Sequence, residues 1–234
     1  MKTKLAILAV AATLALPLSA FADSPGSGTD FPNSLRLGLY FVHYDASTTG
    51  LVGPYVPPGL SIDVKDLLTV YAAYVRSLSS HWDVELAFGY PPLTKSVGKG
   101  PATLGSVPYN GQVISTARWL APTFLIEYEL FGPQHRFRPY IGVGVNYTKF
   151  YDRQSTAAGN AASGGPTSIS LPASVGPAAT LGMGYRMNAR WHLYASYSVA
   201  RVNSHLTSNT AGVVRSTEIH FWPNALVLSV GYSF

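Results

Sequence analysis

The sequence predicts an all-β fold, an eight-stranded antiparallel transmembrane β-barrel of up-and-down topology. Three observations support this prediction. Segments in which apolar and polar or small residues alternate recur eight times, and alternation with period two is typical of β-strands. The connections between the segments are alternately short and long, as in outer-membrane barrels. An N-terminal export signal precedes a chain with no later apolar run of the ~18 residues that a membrane-spanning helix requires.

The N-terminus has the features of a secretory signal peptide. Lys2 and Lys4 precede the apolar run LAILAVAATLALPL, and an A-x-A motif ends at Ala22. Cleavage after Ala22 divides the chain into a signal peptide, residues 1–22, and a barrel domain, residues 23–234.

The composition narrows the class of protein further. Only 12% of the residues are charged, against about 25% in an average soluble protein. With no cysteine, an exported domain must be stable without disulfides. Loss of the signal peptide removes two lysines and no acid, which lowers the formal charge of +5 to about +3. So mild an excess, without a basic run, argues against nucleic-acid binding but suits contact with anionic lipopolysaccharide at the barrel rims.

The eight segments set the topology. Short connections follow the second, fourth and sixth segments, and long connections rich in Gly, Pro, Ser and Thr follow the first, third, fifth and seventh. Short turns on the periplasmic side and long extracellular loops are the arrangement of bacterial outer-membrane barrels, for which eight strands is the smallest size. The predicted segments are 34–44, 66–76, 82–90, 114–130, 136–150, 173–187, 190–201 and 224–234.

In most segments one face is continuously apolar and the other is small or polar, which indicates a lipid-facing outer surface and a polar interior. Trp82, Phe137 and Trp191 each follow a short turn, where a periplasmic aromatic girdle is expected. The second segment, LLTVYAAYVR, has two nearly equivalent faces, so its orientation stays open. The chain ends on Phe234, which resembles the assembly signal by which the barrel assembly machinery recognises outer-membrane proteins.

Several motifs resemble the outer membrane protein W family. They are LAPTFLIEYEL from Leu120 onward, FRPYIGVGVNYTKFYD, an opening strand with Arg36 and Gly38, and the terminal GYSF. Ala121 departs from the family's usual PPT pattern. The resemblance implies an eight-stranded barrel in the outer membrane of Gram-negative bacteria that takes up small hydrophobic molecules, and some relatives assist alkane or aromatic-hydrocarbon uptake.

The up-and-down topology places the inward-facing charges at one level, in the periplasmic half of the interior. Side chains of both signs at that level predict interlocked ion pairs that close the lumen, an arrangement we call the ionic floor. Ordinary packing of a narrow barrel would explain the same charges, and the two interpretations are compatible. The predicted floor residues are Arg36, Asp83, Glu85, Glu127, Arg138 and Arg186, with Glu129 and His192 beside them.

The extracellular half of the interior is predicted to be uncharged, which suits a small lipophilic ligand better than an ion. We call this region the upper cup; its predicted lining includes Tyr40, Val42, Tyr44, Trp119, Thr123 and Asn146. An apolar solute could not pass the ionic floor without disrupting it. Pro122 and Pro177 lie inside strands, where proline marks a break or a tolerated bulge, so each is a candidate for a gap in the wall.

Other functions are less well supported by the sequence. A lipid A-modifying enzyme would need a nucleophile and a base in contact, but His192 and Ser196 are about 13 Å apart along one strand. No zinc-site spacing is present, and we expect no cofactor and no enzymatic activity. A structural or receptor barrel acting through its long extracellular loops remains the alternative, although the loops carry no diagnostic motif.

Overall fold

The computed structural model describes residues 31–48, 50–101, 103–104 and 107–234. The predicted signal peptide and its cleavage after Ala22 lie outside these residues. No helix in the described part of the chain is long and apolar enough to cross a membrane.

The described residues form fifteen strands and one helix. They are β1 Asn33–Thr48, β2 Ser61–Val64, β3 Leu67–Ser77, β4 Trp82–Gly89, β5 Leu93–Lys99, β6 Thr103–Leu104, β7 Val107–Pro108, β8 Val113–Leu120, β9 Thr123–Glu129, β10 Phe137–Ser155, α1 Ala157–Ser163, β11 Thr167–Ser170, β12 Ser174–Arg186, β13 Trp191–Ala200, β14 Val202–Thr210 and β15 Val213–Ser233.

Eight strands form a closed antiparallel barrel, in the order β1, β3, β4, β9, β10, β12, β13 and β15. We call each of these strands, together with any strand that continues it along the wall, a stave. The last strand closes the barrel because it pairs with β1 on one side, starting from Ser34 opposite Ser233, and with β13 on the other, starting from Trp191 opposite Tyr232. Each of these eight strands is paired on both sides, which removes the open sheet edges from the body of the barrel. The predicted eight-stranded barrel is confirmed.

The long connections contain strands of their own at the loop end of the barrel. On one side, β2 pairs with β5, β5 pairs with β8, and β8 pairs with the loop-end half of β10. On the other side, β14 pairs with the loop-end half of β15, and β11 pairs with β14. An apolar cluster lies between these extensions, because alternating stretches such as Ser61–Val64 direct their apolar residues inward. Its buried members are Leu60, Ile62, Val64, Tyr109, Ile114, Leu171, Val202, Leu206 and Ile219.

The predicted segment 114–130 is two strands rather than one. It is interrupted at Ala121 and Pro122, between β8 and β9. Proline cannot donate a backbone hydrogen bond, so the ladder stops where Pro122 interrupts the strand.

The structure gives the orientation of β3, which its sequence left open. Tyr71, Ala73 and Val75 are buried in the interior, whereas Leu68 and Val70 are exposed on the outer surface. Tyr71 lies directly opposite Gly89 on β4, and a Cβ atom at Gly89 would come within 3.4 Å of the Tyr40 ring on the neighbouring strand β1.

Aromatic side chains gather on the outer surface at the turn end. Trp82, Phe137 and Trp191 are all about half exposed there. Trp82 packs edge-on against Tyr128 with ring centroids 4.9 Å apart, and Trp191 packs in the same way against Tyr232 at 5.0 Å. This arrangement corresponds to the predicted girdle.

Close approach of β9 and β10 depends on Gly144. A Cβ atom at this position would lie 2.8 Å from the Cα of Leu125 and would overlap the Phe124 carbonyl group. We expect Gly144→Val to lower the free energy of unfolding by at least the ~1–3 kcal/mol typical of overpacking. The control is Val143→Ile, which enlarges an outward side chain on the same strand.

The folded fraction is measured on gels, where the folded barrel migrates differently before and after boiling. Titration of the folded protein with urea then gives the free energy of unfolding. A Gly144→Val variant as stable as Val143→Ile would mean that β9 and β10 do not approach as closely as described.

Candidate functional site

Arg36 lies at the centre of the interior, and its guanidinium group is almost completely buried. Its Nη1 atom is 2.5 Å from Oε2 of Glu85, and its Nη2 atom is 3.3 Å from Oε2 of Glu127. The guanidinium carbon is also 4.0 Å from the ring centroid of Tyr194 and 5.4 Å from that of Tyr140. Two carboxylates and two aromatic faces therefore surround one buried cation.

Tyr71 connects the Arg36 cluster to the space above it. Its hydroxyl donates a hydrogen bond of 2.8 Å to Oε1 of Glu85, so both oxygens of this carboxylate have partners. The Tyr71 ring lies 6.2 Å from the Tyr40 ring, measured between centroids. Glu85 is thus held from below by Arg36 and from above by a tyrosine.

Sequence analysis placed Arg36, Glu85 and Glu127 at one level but missed the roles of Tyr71, Tyr140 and Tyr194. The signal was present in the inward-facing glycines. A Cβ atom at Gly182 would collide with the Tyr140 ring, and one at Gly231 would lie 2.6 Å from the Tyr194 ring. Inward glycines in a narrow barrel mark the positions into which large rings fold.

The other predicted floor residues are arranged differently. Arg138 forms an ion pair with Glu129, separate from the Arg36 cluster. Arg186 donates hydrogen bonds of 2.6 and 3.1 Å to main-chain carbonyls of the turn that joins β9 and β10. Asp83 is buried, with 4% of its surface exposed. The interior ion pairs among the described residues therefore form two groups, centred on Arg36 and on Arg138, while Arg186 fixes a turn and Asp83 belongs to neither ion-paired group.

A cavity of about 120 Å³ lies above the Arg36 cluster. For comparison, an engineered apolar cavity of about 150 Å³ stays dry and binds benzene. The carboxylate of Glu85, at the bottom, is the one charged group among the described lining residues. The structure places all six residues predicted for the upper cup in this lining: Tyr40, Val42, Tyr44, Trp119, Thr123 and Asn146.

Most polar side chains of the upper cup bond to one another. Trp119 Nε1 donates to Oγ1 of Thr94 at 2.9 Å, and Asn146 Nδ2 donates to Oγ1 of Thr123 at 2.8 Å. The Thr148 hydroxyl donates to Oδ1 of Asn146 at 2.7 Å. Because these groups already have partners, an apolar molecule can occupy the cup without leaving any of them without a hydrogen bond.

The loop-end strands extend the upper cup beyond the predicted residues. Ile62, Leu171, Leu206 and Ile219 also line it, and they come from connections in which sequence analysis recognised no strands. The alternation within Ser61–Val64 was the available signal.

A second cavity, of about 200 Å³, lies among the loop-end strands and α1. It shares Ile62 and Leu206 with the lining of the upper cup, so the two cavities adjoin. Burial raises the pKa of Tyr109, on its wall, to about 12. Two adjoining cavities therefore lead from the loops towards the Arg36 cluster.

The barrel wall has an interruption between β4 and the β8–β9 stave. The β4–β9 ladder ends at Ala87 opposite Thr123, and the β5–β8 ladder starts at Leu93 opposite Arg118. No ladder pair joins the two staves between these points. Phe88, Gly89 and Ala121, which flank the interruption, also line the upper cup.

Three prolines border this interruption. Pro91 and Pro92 lie on one side and Pro122 on the other, and none can donate a backbone hydrogen bond. The amide of Tyr147 donates to the Pro122 carbonyl at 3.0 Å, so the missing donor of Pro122 faces β10. The opening on the β4 side therefore depends on Pro91 and Pro92, which sequence analysis did not nominate although the Pro-Pro pair was visible.

Pro177 lies in a continuous part of the wall. It stands opposite Val145 in the β10–β12 ladder, and its carbonyl accepts a hydrogen bond of 3.0 Å from the amide of Arg201. The structure therefore places the interruption of the ladder at Pro91, Pro92 and Pro122 rather than at Pro177.

Comparison with known proteins identifies relatives along most of the chain. The sequence model of the OmpW family matches residues 35–234. Outer membrane protein W of Vibrio cholerae is 31% identical over 143 residues, which cover 61% of this chain and 63% of that protein. The dibenzothiophene metabolism operon protein PahQ of Pseudomonas aeruginosa is 32% identical over 145 residues, covering 59% and 62%. The chain thus spans a little under two thirds of these two relatives.

Other comparisons extend over nearly the whole chain. Outer membrane protein W of Escherichia coli is 27% identical over 231 residues, which are 99% of both proteins. The crystal structure of OprG from Pseudomonas aeruginosa superimposes with a TM-score of 0.78 at 22% identity, covering 89% of this chain and 99% of that one. This structural likeness shows a shared fold.

The Arg36 cluster generates a prediction about the barrier across the barrel. Arg36→Met would leave Glu85 and Glu127 buried without their cation, and breaking a buried ion pair costs roughly 3–5 kcal/mol. We expect a lower free energy of unfolding in urea and a higher single-channel conductance in planar bilayers. Glu127→Gln should show both effects more weakly, because Glu85 still pairs with Arg36.

The control is Leu37→Met, at a neighbouring position that faces outward. If folded Arg36→Met and Glu127→Gln conduct like the wild type, the barrier to ions lies elsewhere.

Proposed function

The chain belongs to the OmpW family and is located in the outer membrane of Gram-negative bacteria, and from this premise we propose that it takes up small hydrophobic molecules. In this proposal the molecule passes from the extracellular loops into the upper cup. It then leaves through the wall into the membrane rather than through the periplasmic end.

The chemistry of the upper cup carries the proposal. Its lining is apolar or internally hydrogen-bonded, with charge confined to Glu85 at the bottom. Pockets for small molecules are mostly apolar with a few placed polar groups, whereas a selective ion pore is lined by charges or free carbonyls. The name of the relative PahQ refers to the metabolism of dibenzothiophene, an aromatic heterocycle. This relationship supports aromatic or other apolar cargo.

The Arg36 cluster makes the direct path to the periplasm unfavourable for such cargo. An apolar molecule between Arg36 and its carboxylates would separate buried opposite charges and offer them nothing in exchange. Inserting it between the Tyr140 and Tyr194 rings would also remove the aromatic faces from the guanidinium group. Axial passage therefore carries a high barrier.

The interruption of the wall offers a different exit. It adjoins the upper cup at Phe88, Gly89 and Ala121, and exposed Phe88 and Phe124 surround its outer side. Transfer into hydrocarbon gains about 0.8 kcal/mol per buried methylene. A short alkyl chain or an aromatic ring is therefore drawn sideways, from the cup into the lipid.

A charge in the upper cup should block uptake. Trp119→Arg replaces a buried apolar ring of the lining with a cation that needs hydration. We expect cells carrying this variant to take up a fluorescent hydrophobic tracer at close to the rate of a deletion strain. Trp222→Arg, which puts the same charge on the outer surface, should retain uptake.

Equal tracer uptake by folded Trp119→Arg and the wild type would exclude the upper cup as the route. If the deletion strain itself took up tracer normally, the protein would have no uptake role, and a receptor acting through the loops would replace this proposal.

The sideways exit can be closed reversibly. The chain has no cysteine, so the pair Gly89→Cys and Ala121→Cys introduces the only thiols, one on each side of the interruption. We expect an oxidised disulfide, or a short bifunctional thiol reagent, to lower tracer uptake severalfold and reduction to restore it. The control pair, Met183→Cys and Ala195→Cys, joins residues that already face each other in a continuous ladder.

Uptake that is unaffected by the cross-link at Gly89 and Ala121, once its formation is verified by mass spectrometry, would rule out this exit. The result would leave uptake through the upper cup untouched.

A further inference from the structure

Three cations form a slanted row on the outer surface of the barrel, towards its loop end. They are Lys95 on β5, Arg118 on β8 and Lys149 on β10. Lys95 stands opposite Thr116, two residues from Arg118, and Lys149 stands opposite Leu120, two residues from Arg118 on the other side. Diagonal neighbours of this kind are about 7–8 Å apart. The alternate residues of these strands, such as Ala117 and Trp119, line the interior, so the row faces outward.

The middle member of the row is held in place. Nε of Arg118 is 3.4 Å from Oδ2 of Asp152, and Nη1 donates to the Pro91 carbonyl at 3.0 Å. Asp152 is itself fixed at a bulge in β10, where it has a φ of 50° and accepts a hydrogen bond from Gln154. Within the described residues Nη2 has no hydrogen-bond partner. A guanidinium group fixed in this way can bind an anion with little further loss of side-chain freedom.

The two lysines beside Arg118 are exposed, and neither has an ion-pair partner within the described residues. The nearby lysines Lys65 and Lys99 differ, because both lie within 3.4 Å of Asp63. The row therefore carries a local excess of positive charge, and Asp152 offsets only part of it.

An exposed apolar belt lies directly on the membrane side of the row. Leu93 precedes Lys95 on β5, and Tyr147 precedes Lys149 on β10; both are more than 40% exposed, as is Phe124 on β9. In outer-membrane barrels such a belt faces the hydrocarbon, and aromatic residues mark its boundary with the headgroups. The cationic row is thus placed at the headgroup level of the outer leaflet.

We propose that Lys95, Arg118 and Lys149 form a binding site for the phosphate groups of a phosphorylated glycolipid in the outer leaflet. Arg and Lys bind phosphate through charge-assisted hydrogen bonds, and cations 7–8 Å apart can engage one phosphate or two neighbouring ones. The adjacent apolar belt distinguishes a lipid from free phosphate, because acyl chains attached to the same headgroup lie against Leu93, Phe124 and Tyr147.

The site also borders the interruption in the wall, since Arg118 reaches across it to Pro91. The inference nevertheless does not depend on the proposed uptake, because lipid binding can be measured without any transported molecule.

The test uses the purified full-length mature protein in nanodiscs of zwitterionic phospholipid, with bisphosphorylated lipid A as the probe. We expect Lys95→Gln combined with Lys149→Gln to weaken lipid A binding by about 10- to 30-fold, since each basic side chain near an anionic surface contributes roughly a factor of five. Native mass spectrometry of the bound lipid provides the readout. The control is Lys65→Gln combined with Lys99→Gln, which removes the same charge from lysines paired with Asp63.

Monophosphorylated lipid A should bind the wild type more weakly than the bisphosphorylated form, and inorganic phosphate at millimolar concentration should compete poorly. Equal lipid A affinity in the Lys95/Lys149 variant and the wild type would overturn the proposal. So would an equal loss in the Lys65/Lys99 control, which would indicate attraction by net charge alone, or efficient competition by inorganic phosphate, which would indicate a site for free anions.

Discussion

Arg36 carries a charge into the interior of a barrel that is too narrow to hydrate it fully, and the surrounding strands must compensate for the lost water. Glu85 and Glu127 supply the opposite charge, and the rings of Tyr140 and Tyr194 cover the faces of the guanidinium group. Each partner comes from a different stave. The cluster therefore requires the correct register of five strands, and it occupies the cross-section of the barrel at that level.

The division of the interior follows from this cluster. Below it Arg138 pairs with Glu129, Arg186 fixes a turn and Asp83 is buried. Above it the lining is uncharged except where Glu85 closes the bottom. Tyr71 joins the two regions, since its hydroxyl belongs to the ionic cluster and its ring to the apolar cavity. An apolar molecule in the upper cup then has favourable surroundings on all sides but no favourable path downward. The ion pairs that stabilise Arg36 also close the path to the periplasm, which is why the proposed exit of the molecule is the wall interruption.

Much of this arrangement could be predicted from the sequence, because period two separates inward from outward residues and loop alternation orients every strand. These two signals placed Arg36, Glu85 and Glu127 at one level and the lining of the cup above them. They failed for β3, whose two faces are equally apolar, and only its pairing in the barrel shows that Tyr71, Ala73 and Val75 face inward. They were not recognised in the loops, although the short stretch Ser61–Val64 does alternate, and they gave no indication of the role of Pro91 and Pro92, whose effect depends on the ladder that forms around them.

Diffraction from crystals soaked with a small brominated aromatic, with anomalous scattering used to locate the bromine, would test the proposed route most directly. We expect bromine density in the cavity between Tyr40 and Trp119, with a second position at the wall beside Gly89 and Ala121. Density on the periplasmic side of Arg36, along the axis of the barrel, would contradict this route.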